Sequence, residues 1–408
     1  MSNIFSKTSL LALACGVTIC FTSCSDSDND GGDDTEKSPH NSALTVPQYD
    51  LLDHYVNDIV ISTYNDMAAH SVQFLDCVNA LASCVGTTSE KQEKLDAACA
   101  AWRETRAAWE ISEAFLFGTA SESKIDPHMD SWPLDNNQLS NLLKSNTFSS
   151  INNPEDRATL LRDNYNNNLM GFHAAEYIIF ADGTSKKLNT TPITAEEMAY
   201  LQATALVLAE DCIRLKTGWA GTEGLTSREQ EIYERIEDDW GISANYGYYM
   251  LQTGQMGSIY VSFNNSINQI LEGCSTISNE VGTEKMENPI AKNSVLEVES
   301  WYSWNSIDDF QNNIRGIEYV YTGKYKGTTG RSIQQLLQVE NETLDKRIMD
   351  NIEITIEALE NIRTEYGSYR QLIAIKGSLA KNDANVIKAQ TALKDLTKAL
   401  GEVSNYLD

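Results

Sequence analysis

Apolar residues recur three and four positions apart over long stretches of this chain, which is the period of an amphipathic helix. Three segments open with a helix-start signature, Ser or Thr followed three residues later by Glu or Gln. TTSEKQEKLDAACAAWRETRAAWEISEAFLFG pairs Ser89 with Gln92, TPITAEEMAYLQATALVLAEDCIRLKTG pairs Thr194 with Glu197, and LTSREQEIYERIEDDWG pairs Ser227 with Gln230. The 7 prolines of the 408-residue chain are few enough to leave such stretches uninterrupted, and glycines fall mostly at segment ends. Strand-like runs are confined to a weak candidate between Tyr319 and Tyr325. The pattern predicts an all-α fold of two helical bundles, 45–222 and 223–408.

A short internal echo suggests that the halves are related by duplication. Asn167-Asn168-Leu169-Met170-Gly171-Phe172 resembles Asn312-Asn313-Ile314-Arg315-Gly316-Ile317, and each is followed by an aromatic and β-branched run. With the glycines in register, Glu318 stands opposite His173 and Tyr321 opposite Glu176, so a function built on that pair would belong to the first half.

The N-terminus reads differently. Residues 1–23 combine an early lysine, Lys7, with an apolar run too short to span a bilayer comfortably, and Thr-Ser-Cys follows. That layout predicts a lipoprotein signal peptide whose cleavage leaves Cys24 acylated, with Phe21 where an aliphatic residue is usual. Residues 24–44, rich in Asp, Ser and Gly and without an apolar period, predict a disordered acidic tether. The protein is then expected outside the cytoplasm, held to a membrane by a lipid alone. The acidic residues after Cys24 resemble the export tag of Bacteroidetes-type lipoproteins, a resemblance that implies the outer membrane or cell surface.

Charge narrows the partners. The net charge is −27, or −28 once Lys7 leaves with the signal peptide, which argues against nucleic acid while permitting attraction of cations. Five cysteines follow Cys24, namely Cys77, Cys84, Cys99, Cys212 and Cys274, with no Cys-x-x-Cys among them. Either one or two disulfides form, with Cys84 and Cys99 the favoured local pair, or the five are small buried residues.

Candidate chemistry gathers in the first half. NLMGFHAAEYIIF places His173 and Glu176 three apart on one helical face, about 60° around the axis from each other, within an otherwise apolar segment. Gly171 leaves room for a close approach of backbone or ligand. Trp102, Arg106, Trp109 and Glu113 follow one another at helical spacings, and a charge among such neighbours needs a partner if buried. IDPHMDSWPLDNNQL adds His128, Asp130, Trp132 and Asp135 in a proline-bearing segment. Trp132 and Pro133 also read as a packing clamp, Asp135 as the cap of a helix from Asn136, and the His173–Glu176 pair as a hydrogen bond without further role.

Taken together and in this order, AAWRETRAAWEISEAFLFG, DSWPLD and GFHAAEYIIF resemble the imelysin family. Its Gly-x-His-x-x-Glu hallmark is matched by Gly171, His173 and Glu176, and its Trp-Pro-Leu-Asp signature by Trp132 to Asp135. The family's long preceding helix is matched by Trp102, Arg106 and Glu113. GTEKMENPI and DDFQNNIRGIEYVYTGKY are similar to its C-terminal pattern. Two stretches depart from it: VLEVESWYSWNSIDDF stands where the founding members carry a Glu-His-Ser-Cys type of segment, and the loop before Trp132 reads IDPHMD.

The resemblance implies two related helical bundles with a site at their interface, and a link to bacterial iron acquisition. Partners would then be outer-membrane or periplasmic components of iron uptake. It makes His173, Glu176 and Glu113 candidate metal ligands, with Gly171, Arg106, Trp132 and Asp135 as binding residues. A zinc peptidase needs three protein ligands, an open position for water and a general base. No His-Glu-x-x-His is present, and a third ligand would have to come from Glu113, Asp130, Asp135 or His128. Carboxylates with one imidazole suit iron, manganese or calcium better than catalytic zinc. A divalent or ferric ion, with iron favoured over zinc, is therefore the expected cofactor. Metallopeptidase chemistry and a partner- or saccharide-binding module are the alternatives.

Overall fold

The computed structural model describes residues 36–407. The expected signal peptide, Cys24 and the first part of the expected tether lie outside the described residues. The remainder of that tether belongs to the fold. Leu44 is buried, and the Asn41 side chain donates to the carbonyl oxygens of Leu251 and Thr253, 2.9 Å from each. One buried apolar side chain and two satisfied loop carbonyls are enough to hold this segment on the body.

The fold is all-α. Eight helices carry the architecture: α1 (Ser62–Ala82), α2 (Thr88–Ser112), α3 (Gly171–Ile179), α4 (Ala195–Ala220), α5 (Phe263–Glu280), α6 (Ser306–Thr322), α7 (Glu342–Tyr366) and α8 (Ala384–Val403). In the first half α1 packs along both α2 and α4, and α3 lies on α4. In the second, α8 packs on α7 and α5, and α6 joins α7. Helix α2 also packs against α6, and the 3₁₀ turn Glu113–Phe115 that ends α2 packs against α5. That seam gathers buried charge from both groups of helices.

The caps explain where the helices begin. Thr194 and Glu197 form the expected capping box. For α2 the box is Thr87 with Glu90, two residues before the expected pair, and for helix Ser227–Tyr233 it is Thr226 with Glu229, one residue before. In both cases the earlier Thr is the extended residue whose backbone N–H the Glu reaches. Gln92 instead reaches outward, donating to the Lys186 carbonyl and accepting from Leu188 N–H.

The weak strand expected at Tyr319–Tyr325 is mostly helix. Ile317, Val320 and Tyr321 form the buried face of α6, which runs to Thr322 and ends at Gly323 in the left-handed region. Only Lys324–Tyr325 pair with Thr328–Thr329, and a second short hairpin joins Phe180–Ala181 to Thr184–Ser185. The five described cysteines are free thiols. Cys99 faces the Ile179 carbonyl at 3.6 Å, not Cys84, and Cys99, Cys212 and Cys274 are buried while Cys77 and Cys84 are only partly so.

Candidate functional site

Arg106 projects from α2 into the seam and is fully buried, which obliges it to find counter-charges. Its Nη2 lies 2.5 Å from Glu110 Oε1 and donates to Glu299 Oε1 at 2.7 Å, while Nη1 donates to Asp130 Oδ1. Nε faces Asp309 Oδ1 at 3.7 Å. A second cation enters from the π-helical turn Val281–Lys285 that follows α5. Lys285 Nζ reaches Glu113 Oε2 at 3.0 Å and Glu299 Oε1 at 3.2 Å. Asn313 on α6 donates to Glu110 Oε2 at 2.7 Å and to Glu113 Oε2 at 2.6 Å.

Gly171 opens α3 at φ +75°, and a Cβ there would stand 2.0 Å from the Met129 carbonyl oxygen. The glycine thus lets α3 begin hard against helix Ile125–Met129, and this brings His173 beside Asp130. The histidine's Nδ1 is 3.0 Å from Glu176 Oε2. Glu176 Oε1 accepts from both the N–H and the hydroxyl of Ser303, each at 2.7 Å. His173 Nε2 faces Asp130 Oδ1 at 3.0 Å without the alignment of a hydrogen bond. Trp132 covers the ring, 4.5 Å between centroids, and its indole N–H donates to the Glu297 carbonyl. Trp109 donates to Asp130 Oδ2 at 2.7 Å.

Six carboxylates (Glu110, Glu113, Asp130, Glu176, Glu299, Asp309) therefore share this space with Arg106, Lys285 and His173. Burial pushes the Glu113 and Asp309 carboxyls well above the usual range, only partly opposed by Lys285 and Arg106 respectively. Burial would raise Asp130 too, but Arg106 and His173 hold it well below that range. Burial would lower His173. Its contacts with Asp130 and Glu176 outweigh burial and raise its pKa to about 9.

An acidic cleft of about 290 Å³ borders the cluster. Glu113, Asp130 and Glu299 line it, together with Asp126, Glu280 and Glu284. Burial raises Asp126 to about 6 and Glu280 to about 7. Asp130, His173 and Glu299 each offer one ligand atom, and the three atoms lie within 4.8 Å of one another.

Of the expected metal ligands, only His173 belongs to this compact set. Glu176 is occupied by Ser303 and turned to the histidine's other nitrogen. Glu113 lies across Lys285, held by Asn313. Among the expected binding residues Gly171, Arg106 and Trp132 meet at the cluster. Asp135 does not: it caps helix Asn136–Leu142, accepting from Gln138 N–H at 2.9 Å. His128 pairs with Asp211 instead. Glu299, Ser303 and Asp309 come from VLEVESWYSWNSIDDF, the stretch where this chain departs from the family pattern. The sequence signal was slight: Glu299 follows Val298 and Asp309 precedes Phe310, and Ser303 carried none.

The family model described as imelysin matches residues 60–400. Iron-regulated protein A of Synechococcus elongatus is 26% identical over 351 residues, covering 85% of this chain and 83% of that protein. A crystal structure from Parabacteroides distasonis, described as an iron-regulated protein A precursor, is 29% identical with a TM-score of 0.71, covering 93% of this chain and 98% of that one. An imelysin-like protein from Psychrobacter arcticum shares the fold at 15% identity, with a TM-score of 0.54 over 88% of this chain and 93% of its own.

Proposed function

This chain belongs to the imelysin family, and from that premise we propose that it binds a metal cation, with iron favoured, through Asp130, His173 and Glu299. The observation that carries the reading is the grouping of His173, Glu299 and Asp130 beside an acidic cleft, with Glu299 Oε2 buried and unpartnered and His173 Nε2 turned toward Asp130. One imidazole and two carboxylates form a donor set suited to iron or manganese. Glu176 acts through the histidine. Once His173 gives up a proton, Glu176 accepting from Nδ1–H would leave the lone pair on Nε2, the usual device for orienting a metal-binding imidazole.

Arg106 and Lys285 stand close to these acids, and their repulsion of a cation must be outweighed. With His173 neutral, the six carboxylates exceed the two remaining cations by four charges. Protons on the raised carboxyls meet part of that excess, and an entering cation displaces them. Peptide hydrolysis would need a free general base as well, and Glu176 has both oxygens committed to Ser303 and His173. Two relatives named as iron-regulated support a link to iron. With Cys24 acylated, the protein would work on the outer membrane or cell surface beside iron-uptake components.

Elemental analysis after exchange against iron, manganese, calcium and zinc tests the reading. Near-stoichiometric metal is expected in the wild-type chain, and loss of it in His173→Ala and Glu299→Gln variants that keep their helical circular dichroism. A wild-type chain that retains no metal would overturn the proposal.

A further inference from the structure

Four of the eleven large apolar side chains exposed among the described residues lie in one short stretch, Tyr248 within helix Tyr246–Leu251 and three in the loop that leads from it to α5. Tyr248 is 59% exposed, Met256 103%, Ile259 52% and Val261 75%. From Gly241 to Leu271 the chain has no Asp, Glu, Lys or Arg, although 22% of all its residues are charged and the net charge is −27. Other exposed apolar residues, such as Ile375 and Leu379, are interleaved with Lys376 and Lys381.

The stretch is held in shape. Gln255 donates to Asn41 Oδ1 at 2.7 Å, the Ser258 hydroxyl donates to the Tyr249 carbonyl at 2.6 Å, and Gly254 at φ +77° lies close against Ala43. These contacts staple it to residues 41–43, five to seven residues after the described chain begins at Glu36. The eleven residues between Cys24 and Glu36 can span about 40 Å at most.

We propose that this face, Tyr248 to Val261, rests on the lipid bilayer surface. The proposal depends on the lipid attachment at Cys24 put forward above. A short leader joined beside the patch keeps it near whatever membrane holds the lipid. Exposed Met, Ile and Val gain by entering the headgroup boundary, and Tyr favours that depth. An uncharged patch is also the part of so acidic a protein that an anionic surface repels least.

The test holds the chain from Cys24 onward on vesicles by an N-terminal hexahistidine in place of the lipid. The vesicles contain phosphatidylethanolamine, phosphatidylglycerol and a nickel-chelating lipid. Amide hydrogen exchange over 248–261 is expected to slow on the vesicles relative to the free protein, while the loop around Val85, another exposed apolar residue, stays unchanged. Met256→Glu combined with Val261→Glu should abolish the protection and leave the tethered chain folded. Unchanged exchange on the vesicles would overturn the proposal. So would protection that grows with protein density or appears in solution, since either would assign the patch to a second copy. Whether Cys24 carries a lipid is read separately, from the intact mass of the chain extracted from membranes: an unmodified Cys24 would overturn the attachment on which the proposal rests, whereas unchanged exchange with a lipidated Cys24 would overturn the patch alone.

Discussion

At Gly171 the backbone φ is +75° and a Cβ would lie 2.0 Å from the Met129 carbonyl oxygen. Alanine there meets both backbone strain and an immovable carbonyl, and Gly171→Ala is expected to cost about 3 kcal/mol or more. Thermal denaturation should show a lowered Tm, and metal should be lost because α3 can no longer bring His173 to Asp130. A Tm within a degree or so of wild type would show that the α3 start can move aside. This residue, with His173, Glu176 and Arg106, was legible in the sequence because each interrupts an apolar helical pattern. The roles were less legible than the residues. Spacing put His173 and Glu176 on one face, but the contact of Glu176 with Ser303, 127 residues further on, has no signal in the local sequence. Arg106 and Glu299 are 193 residues apart, and no local period connects them.

Among the elements, the π-helical turn Val281–Lys285 bears most directly on the site, because it directs Lys285 inward instead of letting α5 end in solvent. Such turns interrupt regular helix at some cost and are frequent at functional places. Lys285→Met removes a positive charge a few ångströms from Glu113 and Glu299. It is expected to tighten cation binding about tenfold or more, as an effective dielectric near 20 would allow, and to lower the Tm of the metal-free protein through unpaired acids. Isothermal titration calorimetry with manganese on both proteins reads the change, and weaker binding in the variant would mean that Lys285 helps to hold the ligands. Helix existence and type were well read from the apolar period, and boundaries were off by one or two residues where neighbouring Ser and Thr compete for the cap. The run Tyr319–Tyr325 misled because β-branched and aromatic residues also fill the buried face of a helix in a tightly packed seam.

For the molecule as a whole, the buried cluster sets how stability varies with pH. His173 has a folded pKa of about 9, above its ordinary 6.5, so it binds its proton more tightly when folded. Its contribution is fully present below pH 6.5 and is lost as pH rises through 9, a loss of about 3 kcal/mol by linkage. Asp126 and Glu280, raised to about 6 and about 7, act in the same sense at lower pH. Asp130, held low, acts in the opposite sense, and its contribution falls away only in strong acid. The metal-free protein should therefore lose Tm steadily between pH 6.5 and 9. A cation bound at His173 Nε2 needs that nitrogen deprotonated, so its affinity should rise by up to about tenfold per pH unit over the same interval. The two trends have opposite signs, and the gain in Tm on adding manganese should be small at pH 6 and grow toward pH 9. Thermal scans at several pH values, with and without the metal, measure both at once. A falling metal-free Tm with a pH-independent metal gain would keep His173 as a buried cation of the fold and remove it from the ligand set. Growth of the gain that disappears in His173→Ala would tie the proton and the metal to the same nitrogen.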